Sequence, residues 1–140
     1  MGISKASGRW DGGLKTGKGT MVPAHAPAIG FSLGSRFEGQ PASNPEEVIG
    51  AALAGCFSMA LTVSLEQAGA KPVSVSTSAE VSLDKDGEGF KITTIKLTTE
   101  AKAEGVDAAK FEEIAQATKK ACPVSKALAG TEITLEAELV

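Results

Sequence analysis

The sequence is short of the residue types on which most site chemistry is built. Its 140 residues hold one histidine, two cysteines and no tyrosine, and aromatics make up only 4%. A structural zinc site would consume nearly every soft ligand in the chain, so no metal is expected. A hydrolase triad has only His25 available, between Pro23 and Pro27 in a stretch read as loop, and a solvated loop histidine is the better reading. Positive charge is outnumbered, 14 Lys and Arg against 17 Asp and Glu for a net charge of −3, which argues against nucleic acid or an anionic membrane as partner. Met1 to Ser7 lacks the apolar stretch of a secretory signal, so a cytoplasmic location is expected. In that compartment two cysteines are expected to be reduced, buried or redox-active rather than a permanent bridge. Gly12 and Gly17-Lys18 have the spacing of a phosphate loop, but Gly19 follows where a hydroxyl residue is needed and no helical pattern comes after, so a glycine-rich exposed hairpin is expected rather than nucleotide binding.

What the chain does have is one long uncharged run. Ser43 or Asn44 can cap a helix, Pro45 suits its first turn, and Glu46 and Glu47 lie beside the positive end of its dipole. No charge follows until Glu66. Between them Val48, Ile49, Leu53, Phe57, Met59, Leu61, Val63 and Leu65 are interleaved with alanines and glycines on the remaining faces. Apolar all round, this helix is expected to be buried all round, and its many small residues make it a core helix rather than a membrane span.

The rest of the chain reads as short strands and two further helices. Ile3–Trp10 and Leu14–Val22 suit a hairpin about Asp11-Gly12-Gly13, and Ile29–Phe37 a short strand that carries Arg36. After Gly69 the period becomes two: Val73, Val75, Thr77, Ala79, Val81 and Leu83 alternate with serines and Glu80, a half-buried strand ending in a turn over 84–89. The returning strand changes phase across Thr93 and Thr94, which predicts a bulge. Asp107 caps a second helix carrying Phe111, Ile114, Ala115 and Thr118, Cys122-Pro123 ends it and starts a short third through Leu128, and Ile133–Leu139 alternates as a last strand. The expected class is α+β in one domain, 1–140: a long buried central helix with antiparallel sheets.

The two cysteines have opposite local settings. Cys122 precedes a proline at a helix N-terminus, which lowers a thiol pKa. Cys56 lies mid-helix among alkyl groups, where desolvation raises it. On local grounds Cys122 is the more reactive thiol, and Cys56 taken alone reads better as a small apolar filler than as a reactive group.

Arg36-Phe37-Glu38-Gly39, the run Asn44-Pro45-Glu46-Glu47-Val48-Ile49-Gly50-Ala51-Ala52, then Gly55-Cys56-Phe57-Ser58-Met59-Ala60-Leu61, Ser82-Leu83-Asp84-Lys85 and Cys122-Pro123-Val124-Ser125 together resemble the osmotically inducible protein C (OsmC) family, relatives of the organic hydroperoxide resistance proteins. The position of Arg36 immediately before the helix resembles the OsmC branch. The resemblance implies a thiol-dependent peroxidase acting on organic hydroperoxides as an intertwined homodimer, with no bound cofactor and an external dithiol, such as a lipoylated protein, as reductant. It implies that Cys56 attacks the peroxide, Cys122 resolves the oxidised sulfur, Arg36 holds the thiolate and Glu46 orients Arg36. The implied roles invert the local ranking of the thiols, which a guanidinium near sulfur permits. Glu46 and Cys56 are ten positions apart, about 15 Å along a helix. Either the helix breaks at Gly50 or Gly55, or Glu46 serves the cysteine of a second subunit, and the second arrangement is the one expected. The competing readings are a non-catalytic redox sensor or carrier of a hydrophobic ligand using the same pocket, and a core cysteine without chemistry.

Overall fold

The structure, a computed structural model, describes residues 2–140. It divides into two compact units, the residues up to Val48 and Ile49–Val140.

In the first unit, β1 (Ala6–Asp11), β2 (Lys18–Pro23) and β3 (Ile29–Phe31) form an antiparallel sheet in that order. Gly19 is opposite both Trp10 and Phe31 in the register, and the two rings come together at 5.6 Å. A Cβ on Gly19 would run into both rings, which is why glycine stands there. The strand expected over Ile29–Phe37 stops at Phe31. The chain turns instead into α1 (Leu33–Phe37), because Ser32 and Ser35 form a reciprocal capping box, Ser35 N–H to Ser32 Oγ at 3.1 Å and Ser32 N–H to Ser35 Oγ at 2.9 Å. Arg36 is therefore helical.

The helix α2 runs from Pro45 to Gln67 without interruption through Gly50 and Gly55, which removes a helix break from the alternatives above. Asn44 is the cap: its Oδ1 accepts from Glu47 N–H at 2.8 Å.

In the second unit, β4 (Lys71–Asp86) and β5 (Gly89–Glu104) make a long antiparallel hairpin. The expected bulge is present, since Ser82 pairs with Thr94 and Leu83 with Ile92, leaving Thr93 over. Asp107 caps α3 (Ala108–Ala121) through Lys110 N–H at 2.8 Å, and Pro123 opens α4 (Pro123–Ala127) at its first position. The last strand, β6 (Glu132–Leu139), joins β5 in parallel, so the expectation of antiparallel sheets throughout is corrected. The two helices between β5 and β6 supply the crossover that a parallel pair requires.

One face of this sheet meets one stripe of α2. Leu53, Phe57, Leu61 and Leu65, spaced by four, are fully buried with Ile95, Leu97, Ala101, Phe111 and Ala115. Each of the leucine, isoleucine and phenylalanine side chains among them contributes about 1.5–3 kcal/mol. Gly50 lets the helix approach β4, where an added Cβ would stand 3.0 Å from Val81. Hydroxyls bridge the layers at Ser58–Thr77, 2.7 Å, and Thr118–Ser64, 3.0 Å.

The opposite stripe of α2 corrects the expectation of a helix buried all round. Ala51, Ala52 and Gly55 are exposed, Met59 is 73% exposed and Val63 42%. A single sheet covers a single side of a helix, and a sequence apolar on every face does not say which side that is.

Candidate active site

The fold brings the two cysteines together from 66 positions apart. Cys56 sits beside the buried stripe of α2, next to Phe57, and is half-buried. Cys122 is the residue between α3 and α4, with extended-side backbone angles (φ −56°, ψ 128°) and 1% exposure. Both thiols are free, and Cys122 donates to Cys56 with the sulfurs 2.8 Å apart.

Their titrations move in opposite directions. Burial pushes Cys56 above the ordinary thiol range, and its contact with Cys122 adds to that, against a smaller lowering by the Val124 amide. Burial pushes Cys122 up as well, but hydrogen bonding from Cys56 and from the Ser125 and Val124 amides, together with a favourable influence of the Ser125 hydroxyl on the ionised form, outweighs it, and the net shift is down. The pair behaves as two sulfurs sharing a proton, with the first ionisation favoured at Cys122.

Arg36 and Glu46 are likewise brought together. Arg36 Nε donates to Glu46 Oε1 at 2.9 Å and Nη2 to the same oxygen at 2.6 Å. The Glu46 side chain is 8% exposed and that of Arg36 36%. The α1 capping box fixes the backbone of Arg36, whose N–H donates to Ser32 O at 3.1 Å, and Asn44 Nδ2 ties α1 to the start of α2 through Ser35 O at 3.3 Å. The guanidinium carbon stands 5.2 Å from the Phe37 ring centroid, a cation–π contact. Held on its Nε edge and Nη2, Arg36 keeps Nη1 clear of any hydrogen bond among the described residues.

Around Arg36 the first unit has a cleft of about 520 Å³, lined by Trp10, Leu14, Phe31, Leu33 and Phe37. It combines apolar walls with one cationic group, the combination that suits an apolar ligand carrying a polar end. His25, by contrast, is exposed in the turn between β2 and β3.

Sequence reasoning named Cys56, Cys122, Arg36 and Glu46, and they form two pairs, one in each unit. It missed the cleft, whose lining comes from two separate segments of the chain, 10–14 and 31–37. It also missed the Ser125 hydroxyl, for which the spacing from Cys122, helix cap to third helical residue, was a usable signal.

The sequence pattern of the OsmC-like protein family matches residues 37–138. The chain belongs to the OsmC family. Peroxiredoxin OsmC of Escherichia coli (strain K12) is 46% identical over 138 residues, 96% of this chain and 95% of that one. Organic hydroperoxide resistance protein OhrA of Bacillus subtilis (strain 168) is 36% identical over 100 residues, 69% of this chain and 68% of that one. Among solved structures, OhrB of Bacillus subtilis superposes with a TM-score of 0.72 at 27% identity, covering 97% of this chain and 98% of that one. An OsmC-like protein of Mycoplasma pneumoniae superposes with a TM-score of 0.78 at 14% identity, covering 99% and 98%, and at that identity attests the OsmC fold alone.

Proposed function

We propose that this OsmC-family chain is a cysteine-based peroxidase that reduces organic hydroperoxides to alcohols and, more weakly, hydrogen peroxide to water, in oxidative and osmotic stress defence. The observation that carries the reading is the 2.8 Å approach of two free thiols in a chain of this family. Access supports the roles proposed for them. A peroxide can reach the half-buried Cys56 but not Cys122 at 1% exposure.

The Cys56 thiolate attacks the terminal oxygen of the hydroperoxide. An S–O bond forms, the O–O bond breaks, and the alkoxide leaves with the bonding pair and takes a proton from solvent to become the alcohol. Sulfur, oxidised by two electrons, is now sulfenic acid. The Cys122 thiolate then attacks Cys56 sulfur, the S–O bond breaks, hydroxide leaves and is protonated, and a Cys56–Cys122 disulfide remains. A dithiol, such as that of a lipoylated protein, attacks the disulfide, and its second sulfur closes a ring that drives release.

For Cys56 to ionise against its burial it needs a cation, and Arg36 is the candidate. Glu46 and Cys56 are about 15 Å apart along an unbroken helix, so the Arg36–Glu46 pair is proposed to serve Cys56 of a second copy. That makes the working unit an intertwined homodimer in the cytoplasm. The uncovered α2 stripe with Met59 and Val63 supports it, being apolar and rich in small residues. Met59→Glu is expected to shift the protein from dimer to monomer in sedimentation and to lower peroxidase activity in parallel.

Arg36→Ala should cut the rate of Cys56 oxidation about 10- to 100-fold near neutral pH, corresponding to loss of a favourable charge beside an acidic group. The sign follows from burial: with the cation gone, the pH at which Cys56 reacts moves up. Arg36→Lys recovers part of the rate, since an ammonium keeps the charge but cannot match the two-point grip on Glu46. Stopped-flow oxidation as a function of pH reads both.

The decisive assay supplies cumene and tert-butyl hydroperoxides and hydrogen peroxide, with lipoamide or glutathione as reductant. Many turnovers with the dithiol support the peroxidase. The apolar cleft favours, as second reading, a carrier of hydrophobic ligands or a redox sensor, which would react once or not at all.

A further inference from the structure

One buried polar group is not used by the scheme above. Ser125 is 7% exposed, and its Oγ makes no hydrogen bond of its own among the described residues. A buried hydroxyl without a partner is unfavourable and invites a reason. Ser125 is the third residue of α4, and Cys122 is the cap. In that relation a hydroxyl normally reaches back to the N–H of the cap residue. Here the Cys122 N–H is already given to Thr118 O at 3.0 Å, so the usual acceptor-side exchange is closed and the sulfur of the cap is the group left for Ser125 to serve.

We propose that the Ser125 hydroxyl is the donor that holds Cys122 as a thiolate, turning onto its Sγ when the proton leaves that sulfur. The favourable action of this hydroxyl on the ionised form of Cys122 is in keeping with that placement. The catalytic consequence rests on Cys122 being the resolving thiol. Stabilised as an anion, Cys122 is available to attack the Cys56 sulfenic acid, displacing hydroxide. When the external dithiol attacks Cys56 sulfur and the S–S bond breaks, Cys122 departs with the bonding pair, and a leaving thiol of lower pKa departs faster. Ser125 thus acts twice in one cycle, on the same sulfur.

The titratable group facing Cys122 is Cys56, from α2. Lys119 and Lys120 end α3 and Lys126 ends α4, while Glu132, Glu136 and Glu138 occupy exposed positions of β6. Removing Cys56 therefore isolates the effect of α4. The test is the titration of Cys122 in Cys56→Ala protein, by ultraviolet thiolate absorbance and by the pH dependence of alkylation, with and without Ser125→Ala. It uses no peroxide, so its outcome is independent of the peroxidase reading. The proposal expects the double variant to hold roughly tenfold less thiolate at a pH below the midpoint, about one unit of displacement, and Ser125→Thr, which keeps the hydroxyl, to restore it. At a pH where Cys122 is protonated, Ser125→Ala should not lower the Tm, because there the hydroxyl it removes has no partner to lose. Should Ser125→Ala unfold, the folded Cys56→Ala protein must still show Cys122 titrating below the same protein in urea. Identical titration with and without the hydroxyl, or in folded and unfolded protein, overturns the proposal.

Discussion

Replacing Cys56 by Ser is expected to abolish peroxide consumption, by roughly three orders of magnitude or more, because the nucleophile is the part of a covalent mechanism for which nothing else substitutes. The serine hydroxyl is of similar size but is not ionised near neutral pH and is a far weaker nucleophile toward oxygen. The fold should survive, since Cys56 is only half-buried and lies beside, not within, the stripe of Leu53, Phe57, Leu61 and Leu65. Hydroperoxide loss in the ferrous–xylenol assay, with circular dichroism for the fold, checks both halves. If a core cysteine without chemistry were the right reading, the variant would consume peroxide as the parent does.

Replacing Cys122 by Ser is expected to separate the two steps. The first oxidation of Cys56 should continue in a single burst, whereas dithiol-driven turnover should fall about 100-fold or more, since no sulfur remains within reach to form the disulfide. Left unresolved, the sulfenic acid is exposed to a second peroxide, and Cys56 should advance to sulfinic acid, a mass gain of two oxygens per chain. Intact-mass spectrometry during a peroxide titration distinguishes this from the parent protein, which should lose two hydrogens and stop there. The prediction is strong because the thiols are already at 2.8 Å: the parent disulfide needs little movement, and the variant has no substitute donor.

The start of α2, the Asp107 cap, the bulge at Thr93 and the Cys-Pro break between α3 and α4 were legible in the sequence because each is set by a few neighbouring residues. α1 was not, since a Ser-x-x-Ser box lacks the acidic third residue by which capping boxes are usually recognised. The parallel placing of β6 was not either: alternation gives a strand its two faces and says nothing about its neighbour or direction. The one-sided burial of α2 was hidden by its being apolar on every face.

The candidate site divides along the same line. The opposite tendencies of the two thiols followed from their local settings, and the structure has them in those directions, Cys122 down and Cys56 up. Their meeting across 66 positions did not follow from any local pattern; it was implied by the family resemblance and is brought about by α2 and the α3–α4 junction packing on one sheet. The pairing of Arg36 with Glu46 depended in turn on α1, the element the sequence concealed.

The most direct measurement is non-reducing peptide mapping of the reduced protein after one equivalent of cumene hydroperoxide. The account predicts near-complete conversion to a disulfide joining Cys56 and Cys122 of the same chain, with cumyl alcohol released in equal amount. Thiols that remain unoxidised, or a bridge that joins Cys122 to another chain while Cys56 stays reduced, would contradict it.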